Sequence, residues 1–162
     1  MLFRSAGGGG CADPNADLTN KAYPHFGSGN CGPYFGDQTW MSANDPFVNG
    51  QYGWHDSNCP GVSANPYCAI QFPQATRVKR FRALLHTNPP KKCTFQGSND
   101  SDNGVNGAWT TLYGPFDFVS GQEGVWSQDY SFNNANSYKL YRLNCPGSPP
   151  FALYEWEMFC GP

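Results

Sequence analysis

At 162 residues the chain has the length of one domain, enough to bury roughly 70% of the surface its unfolded form would expose. Only 14% of residues are charged and the formal net charge is −2, so no basic footprint exists to neutralise a row of phosphates, and nucleic acid is excluded as a partner. Gly (19) and Pro (14) interrupt the chain at short intervals while aromatics reach 16%, a mixture that suits short strands and ordered loops and predicts an all-β domain.

Residues 1–20 form a Gly-rich lead without periodicity, expected to be a tail or linker, with the domain spanning 21–162. The start, "MLFRSAGGGGCADPN", has only Leu2 and Phe3 before Arg4, too little apolar length for a signal-peptide core or a membrane span. From 21 to 66 the sequence is polar and aromatic, with Tyr23, Phe26, Trp40 and Phe47 scattered among Gly, Asn and Pro, a loop-rich stretch that needs staples. Strand patterns then sharpen. "PYCAIQF" (66–72) alternates, "RVKRFRALLH" (77–86) sets Val78, Phe81 and Leu85 among basic residues, and "CTFQGS" (93–98) alternates again. "VWSQDYSF" (125–132), "SYKLYRLNC" (137–145) and "FALYEWEMFC" (151–160) complete the set. In "SYKLYRLNC", Tyr138, Leu140 and Arg142 fall on one face and Lys139, Tyr141 and Leu143 on the other. No stretch carries the caps and period of a long helix.

The order "DPFVNGQYGWHDSN", "PYCAIQFPQATRVKRFRALL", "CTFQGSNDSDNGVNGAWTTL", "SYKLYRLNC", "FALYEWEMF" resembles the discoidin, or coagulation factor V/VIII C-type, domain of the galactose-binding-like superfamily. The resemblance covers about residues 40 to 160 and implies a jelly-roll β-sandwich of two antiparallel sheets. Its most specific piece is "GSND" after a strand, followed by Trp109 and Leu112, both expected to re-enter the core. Asn99, Asp100 and Gly104 between them have turn chemistry, since Asn and Asp side chains cap their own backbone and Gly accepts positive φ. Asn99-Asp100-Ser101 is also a glycosylation sequon, in a turn tight enough to disfavour occupancy.

Seven cysteines without a CxxC pair or a Cys/His cluster at zinc spacing point to disulfides and an oxidising, extracellular or cell-surface setting. Cys59 and Cys68 bracket a short loop and are expected to pair; Cys93 opens one strand and Cys145 ends another, so antiparallel neighbours would join them. The resemblance further implies a bridge linking the termini, Cys160 with Cys11 or Cys31. The odd thiol left over would link a second chain or a homo-oligomer, or lie buried and unpaired.

The resemblance also implies a Ca²⁺ site built from Phe47, Asn49, Gly50 and Gln51 with Glu155 across from them, backbone and carboxylate oxygens being what a hard cation takes. Asn49 stands where the family has an aspartate, which removes one negative charge; Asp45 and Asp56 lie nearby in sequence. Without a metal, Asn49 would cap a turn and Glu155 would pair with Arg80 or Lys139.

Three histidines, at 25, 55 and 86, occur without a GxSxG elbow or a nominated acid pair, so no catalytic residue is assigned. In the resembled family ligands sit in loops at one end of the sandwich, which implies a non-catalytic module recognising a glycan or glycoprotein. Sugars ask for an aromatic face plus fixed polar groups. The residues that answer are Trp40, Tyr52, Trp54, His55, Asp56 and Tyr67, with Arg82, His86 and Lys92 as polar contributors. Trp54 and His55 also match the framework stretch "GWHS", where packing is the competing role. Membrane binding, a second habit of such domains, is disfavoured because the loops offer Pro, Asn and Gly rather than paired exposed apolar residues. An alternative function is a structural or adhesive module making protein contacts in an extracellular assembly.

Overall fold

A computed structural model of the chain describes residues 11–19, 23–27, 54–55, 65–148 and 152–162. Among them no helix forms, and ten strands build two antiparallel sheets. The strands are β1 (His25–Gly27), β2 (Trp54–His55), β3 (Tyr67–Thr76), β4 (Arg80–Leu85), β5 (Cys93–Ser98), β6 (Thr110–Phe116), β7 (Val125–Trp126), β8 (Tyr130–Ser131), β9 (Tyr138–Asn144) and β10 (Ala152–Phe159). One sheet runs β1-β3-β9-β5-β6; the other runs β2-β10-β4-β7, with β8 also on β4.

The period of two decides what fills the space between the sheets. On β3, Cys68, Ile70 and Phe72 point inward; on β9, Tyr141 and Leu143; on β4, Phe81, Ala83 and Leu85. β10 adds Leu153, Trp156 and Met158, and β5 adds Cys93 and Phe95. Aromatic stacking knits this core: Phe81 lies parallel to Phe95 at 4.4 Å and to Tyr130 at 4.9 Å. Tyr141 closes it at one end. Its hydroxyl donates to the Thr76 carbonyl (2.6 Å) and accepts from the Val78 N–H (3.1 Å), so the turn joining β3 to β4 has its backbone satisfied from within. Burial pushes the Tyr141 phenol up to about 12.

The stretch 125–132 forms two short strands rather than one. β7 pairs Leu84 and Leu85 and β8 pairs Arg80 and Phe81. Between them Ser127 uses its hydroxyl in place of a carbonyl, accepting from the Ala83 N–H at 3.0 Å while its own N–H donates to the Ala83 carbonyl. Residues 11–19 lie against β10: the Leu18 N–H donates to the Met158 carbonyl, and Asp17 Oδ1 accepts from the Met158 N–H.

Two disulfides are formed among the described residues. Cys93 joins Cys145, as the neighbouring strands β5 and β9 require, and Cys160 takes Cys11 as its partner. The expected Cys59–Cys68 pair does not form, because Cys68 is a free thiol buried in the core. The alternation of β3 sends it to the same face as Ile70 and Phe72, where it packs as a small hydrophobe. A thiol 2% exposed cannot link a second chain either. Cys31 and Cys59 lie outside the described residues. Burial pushes the Cys68 thiol well above its ordinary value, outweighing a hydrogen bond from the Leu143 backbone. Iodoacetamide is therefore expected to leave Cys68 unmodified in the native protein and to modify it in denaturant, read by peptide mass; labelling in the native state would contradict this packing.

Candidate functional site

The strand directions sort the connections into two poles. At one pole lie the turn 77–79, the loop 99–109, the segment 127–137 and the Cys11–Cys160 bridge that ties the ends together. At the other lie the loops 86–92 and 117–124 and residues 145–148, together with the end of β2.

The loop 99–109 is built from its own side chains. Asp100 Oδ1 accepts from the Ser98 hydroxyl (2.9 Å) and the Ala108 N–H (2.8 Å), and Asn103 Oδ1 accepts from the N–H groups of Val105 and Asn106. The hydrogen bonds from Ser98 and Ala108 hold the Asp100 carboxyl below its ordinary value. Asn99 is spent on framework, donating to the Ser137 carbonyl and accepting from the Lys139 N–H. The loop then folds back over the outer face of the β1-β3-β9-β5-β6 sheet. Gly104, at φ +80°, lies so close that a Cβ there would meet Tyr67, Ala69 and Phe26 at 2.9–3.1 Å. Arg142 latches it, donating to the Gly104 carbonyl (2.9 Å) and to Gln96 Oε1 (2.7 Å) with its guanidinium 3.9 Å from the Trp109 ring. Burial lowers the Arg142 pKa to about 10, which leaves it charged at neutral pH. Trp109 is thus not in the core as expected but on the outside of the sheet, half-buried beneath Arg142; Leu112 does pack against the core. This loop is structure.

The opposite pole is cross-tied between loops. The Gly121 N–H donates to the Thr87 carbonyl (2.8 Å), the Gly124 N–H to the Leu85 carbonyl (2.9 Å) and the Ala152 N–H to the Asn88 carbonyl (2.8 Å). The Lys91 N–H donates to Ser148 Oγ (3.0 Å), and the Lys92 N–H to Asp117 Oδ1 (2.7 Å). Lys92 stands at φ 56°, a left-handed conformation unusual for a residue with a side chain, held by that bond. Glu123 joins two loops and a strand: Oε2 accepts from the Thr87 N–H (2.9 Å) and hydroxyl (2.5 Å), Oε1 from the Tyr154 hydroxyl. His86 packs edge-on against the Tyr154 ring at 5.5 Å, its Nε2 4.0 Å from Glu123.

Of the residues expected to bind ligand, His86 and Lys92 fall at this pole. Tyr67 begins β3 at the same end, but its ring lies against Gly104 on the outer sheet face. Arg82 sits mid-strand on the outside of the other sheet, donating to Glu157 (2.6 Å) with its guanidinium 4.5 Å from the Trp126 ring. Trp54 and His55 form β2, whose backbone pairs with Leu153 and Ala152 at this pole. Trp40, Tyr52 and Asp56 lie outside the described residues, as do Phe47, Asn49, Gly50 and Gln51 of the expected metal set. Glu155, the remaining member, is buried on β10, two residues beyond Leu153, where β2 pairs. Arg80, a partner expected for it, bonds Asp129 instead (2.8 Å). Among the described residues no three His, Cys, Asp or Glu gather as a metal cluster. Sequence reading missed Glu123, Thr87 and Tyr154 because they come from three separate segments. The available clue was Gly121 and Gly124 flanking Glu123, both at positive φ and marking a tight, shaped turn.

No protein-family model matches the sequence, and no curated protein does. Solved structures do match in fold. Chitosan-binding module 1 of a chitosanase/glucanase from Paenibacillus sp. IK-5 superposes with a TM-score of 0.67 at 19% identity, over 89% of this chain and 98% of that one. CpGH89CBM32-5 from Clostridium perfringens, solved with GalNAc-β-1,3-galactose, gives 0.66 at 12% identity over 89% and 99%. An F5/8 type C domain from Bacteroides fragilis gives 0.61 at 13% over 89% and 95%. These likenesses identify the sandwich as a galactose-binding-like fold, in agreement with the resemblance read from the sequence.

Proposed function

We propose that this galactose-binding-like sandwich is a non-catalytic extracellular module that binds a carbohydrate, as free glycan or on a glycoprotein, at the pole formed by residues 86–92, 117–124 and 145–148. The observation that carries the reading is the cross-tying of these loops, which holds His86, Lys92 and Glu123 on a fixed frame at the end opposite the disulfide-linked termini. Recognition of a sugar rewards such preorganisation, because polar groups already in place lose little entropy when the ligand arrives. Two of the fold neighbours, the Paenibacillus module and the Clostridium module, are described with carbohydrate ligands, which supports the same use here. The two described disulfides suit an oxidising environment.

Calcium belongs to this reading as a structural cofactor. Glu155 is a buried carboxylate beside β2. It would hold the ion together with oxygens of Phe47, Asn49, Gly50 and Gln51. The ion would brace the frame and supply hard-cation charge.

A glycan array probed with the full chain, with calcium and again with EDTA, tests both parts. Binding to at least one glycan class is expected, weakened in EDTA. Silence in both conditions would overturn the carbohydrate reading in favour of a module that makes protein contacts.

A further inference from the structure

We propose that Glu123 is a specificity-determining residue that selects glycans carrying a free ammonium group, so that the ligand class is a cationic amino sugar rather than its N-acetylated or neutral counterpart; this rests on the carbohydrate reading of the same pole. Glu123 differs from the acids paired elsewhere in the domain. Glu157 has Arg82 and Asp129 has Arg80 as cation partners at 2.6 and 2.8 Å. Among the described residues Glu123 meets no Lys or Arg at ion-pair distance, only His86 at 4.0 Å, charged when protonated.

Its side chain is 50% exposed, yet both oxygens are fixed by donors from Thr87 and Tyr154. A carboxylate offers about four lone-pair sites, and three of them are used here, leaving acceptor capacity toward solvent. Burial would raise its pKa, but the bonds from Thr87 and Tyr154 together outweigh it and hold the carboxyl below its ordinary value. An ionised, immobilised, half-exposed acceptor is what an ammonium donor needs for a charge-assisted hydrogen bond. Acetylation would remove the charge and add bulk. Lys91 and Lys92 stand at the same pole, so discrimination comes from this short-range contact and not from the general field of the domain.

Calorimetric titration of the full chain with a glucosamine trimer and with an N-acetylglucosamine trimer tests the assignment. The unmodified trimer is expected to bind about tenfold tighter, the scale of one charge-assisted hydrogen bond. Glu123→Gln should bring the two within about twofold, and its melting temperature reports whether the frame survived. Comparing the two ligands on the unaltered protein needs no variant at all. Equal or tighter binding of the acetylated trimer, or a preference that persists in Glu123→Gln, overturns the role of Glu123 while leaving carbohydrate recognition standing. Failure of both trimers together with a silent array overturns the carbohydrate reading, and this inference falls with it.

Discussion

Replacing Phe81 by alanine is expected to cost about 3–5 kcal/mol, the range for deleting a buried aromatic side chain. Phe81 is fully buried, stacked between Phe95 and Tyr130, and met at an angle by Tyr113, Phe116 and Phe132. Those five rings come from three strands, β5, β6 and β8, and the residue after β8, so the cavity left by alanine has walls on both sheets and cannot collapse by moving one of them. For a chain of this length the loss translates into roughly 6–20 °C of melting temperature, measurable by calorimetry or circular dichroism. Phe81→Leu should recover most of it by refilling the space. A loss under about 1 kcal/mol for the alanine variant would show that the two sheets do not share this aromatic centre.

Removing the Cys93–Cys145 bridge, with both residues changed to alanine, is expected to cost about 4 kcal/mol on the chain-entropy estimate for a closed loop of this size. Its 52-residue span lies wholly within the sandwich, and both sulfurs are fully buried at the end of the β5–β9 ladder. The Cys11–Cys160 bridge spans 149 residues, which gives a larger number on the same estimate. It fastens an exposed terminal segment, however, so its loss should fray residues 11–19 before it unfolds the core. The Cys93–Cys145 bridge also roots the loops 86–92 and 145–148. The double variant is therefore expected to weaken glycan binding as well as stability. Urea denaturation under non-reducing conditions measures the first effect, and unchanged midpoints would contradict the estimate.

Much of the fold was legible because the period of two was clean. In "SYKLYRLNC" the alternation sets Tyr141 and Leu143 against Leu140 and Arg142, and the structure sends the first pair inward; Tyr138, expected on the Leu140 face, joins the core as well, beyond the register shift between β3 and β9. The same rule applied to "PYCAIQF" puts Cys68 with Ile70 and Phe72. The short spacing to Cys59 suggested a disulfide, but side-chain direction, not sequence distance, decides which cysteines meet. Trp109 illustrates a different limit. Its burial depends on a loop folding back over the outer sheet face and on Arg142 reaching it, contacts between residues 33 apart that no local pattern announces. Leu140 is buried although it points away from the core. The pole was legible only in part. His86 and Lys92 follow from strand order, since both flank the β4–β5 connection. Glu123 needed the register that brings the β6–β7 turn against Thr87 and β10 against both.

On the proposed reading, one pole recognises a ligand while the other holds the ends together. Backbone amide shifts followed by NMR during titration with a bound glycan test it most directly. The largest changes are expected in 86–92, 117–124 and 145–148, with 77–79, 99–109 and 127–137 unmoved; changes concentrated in the second group would contradict it.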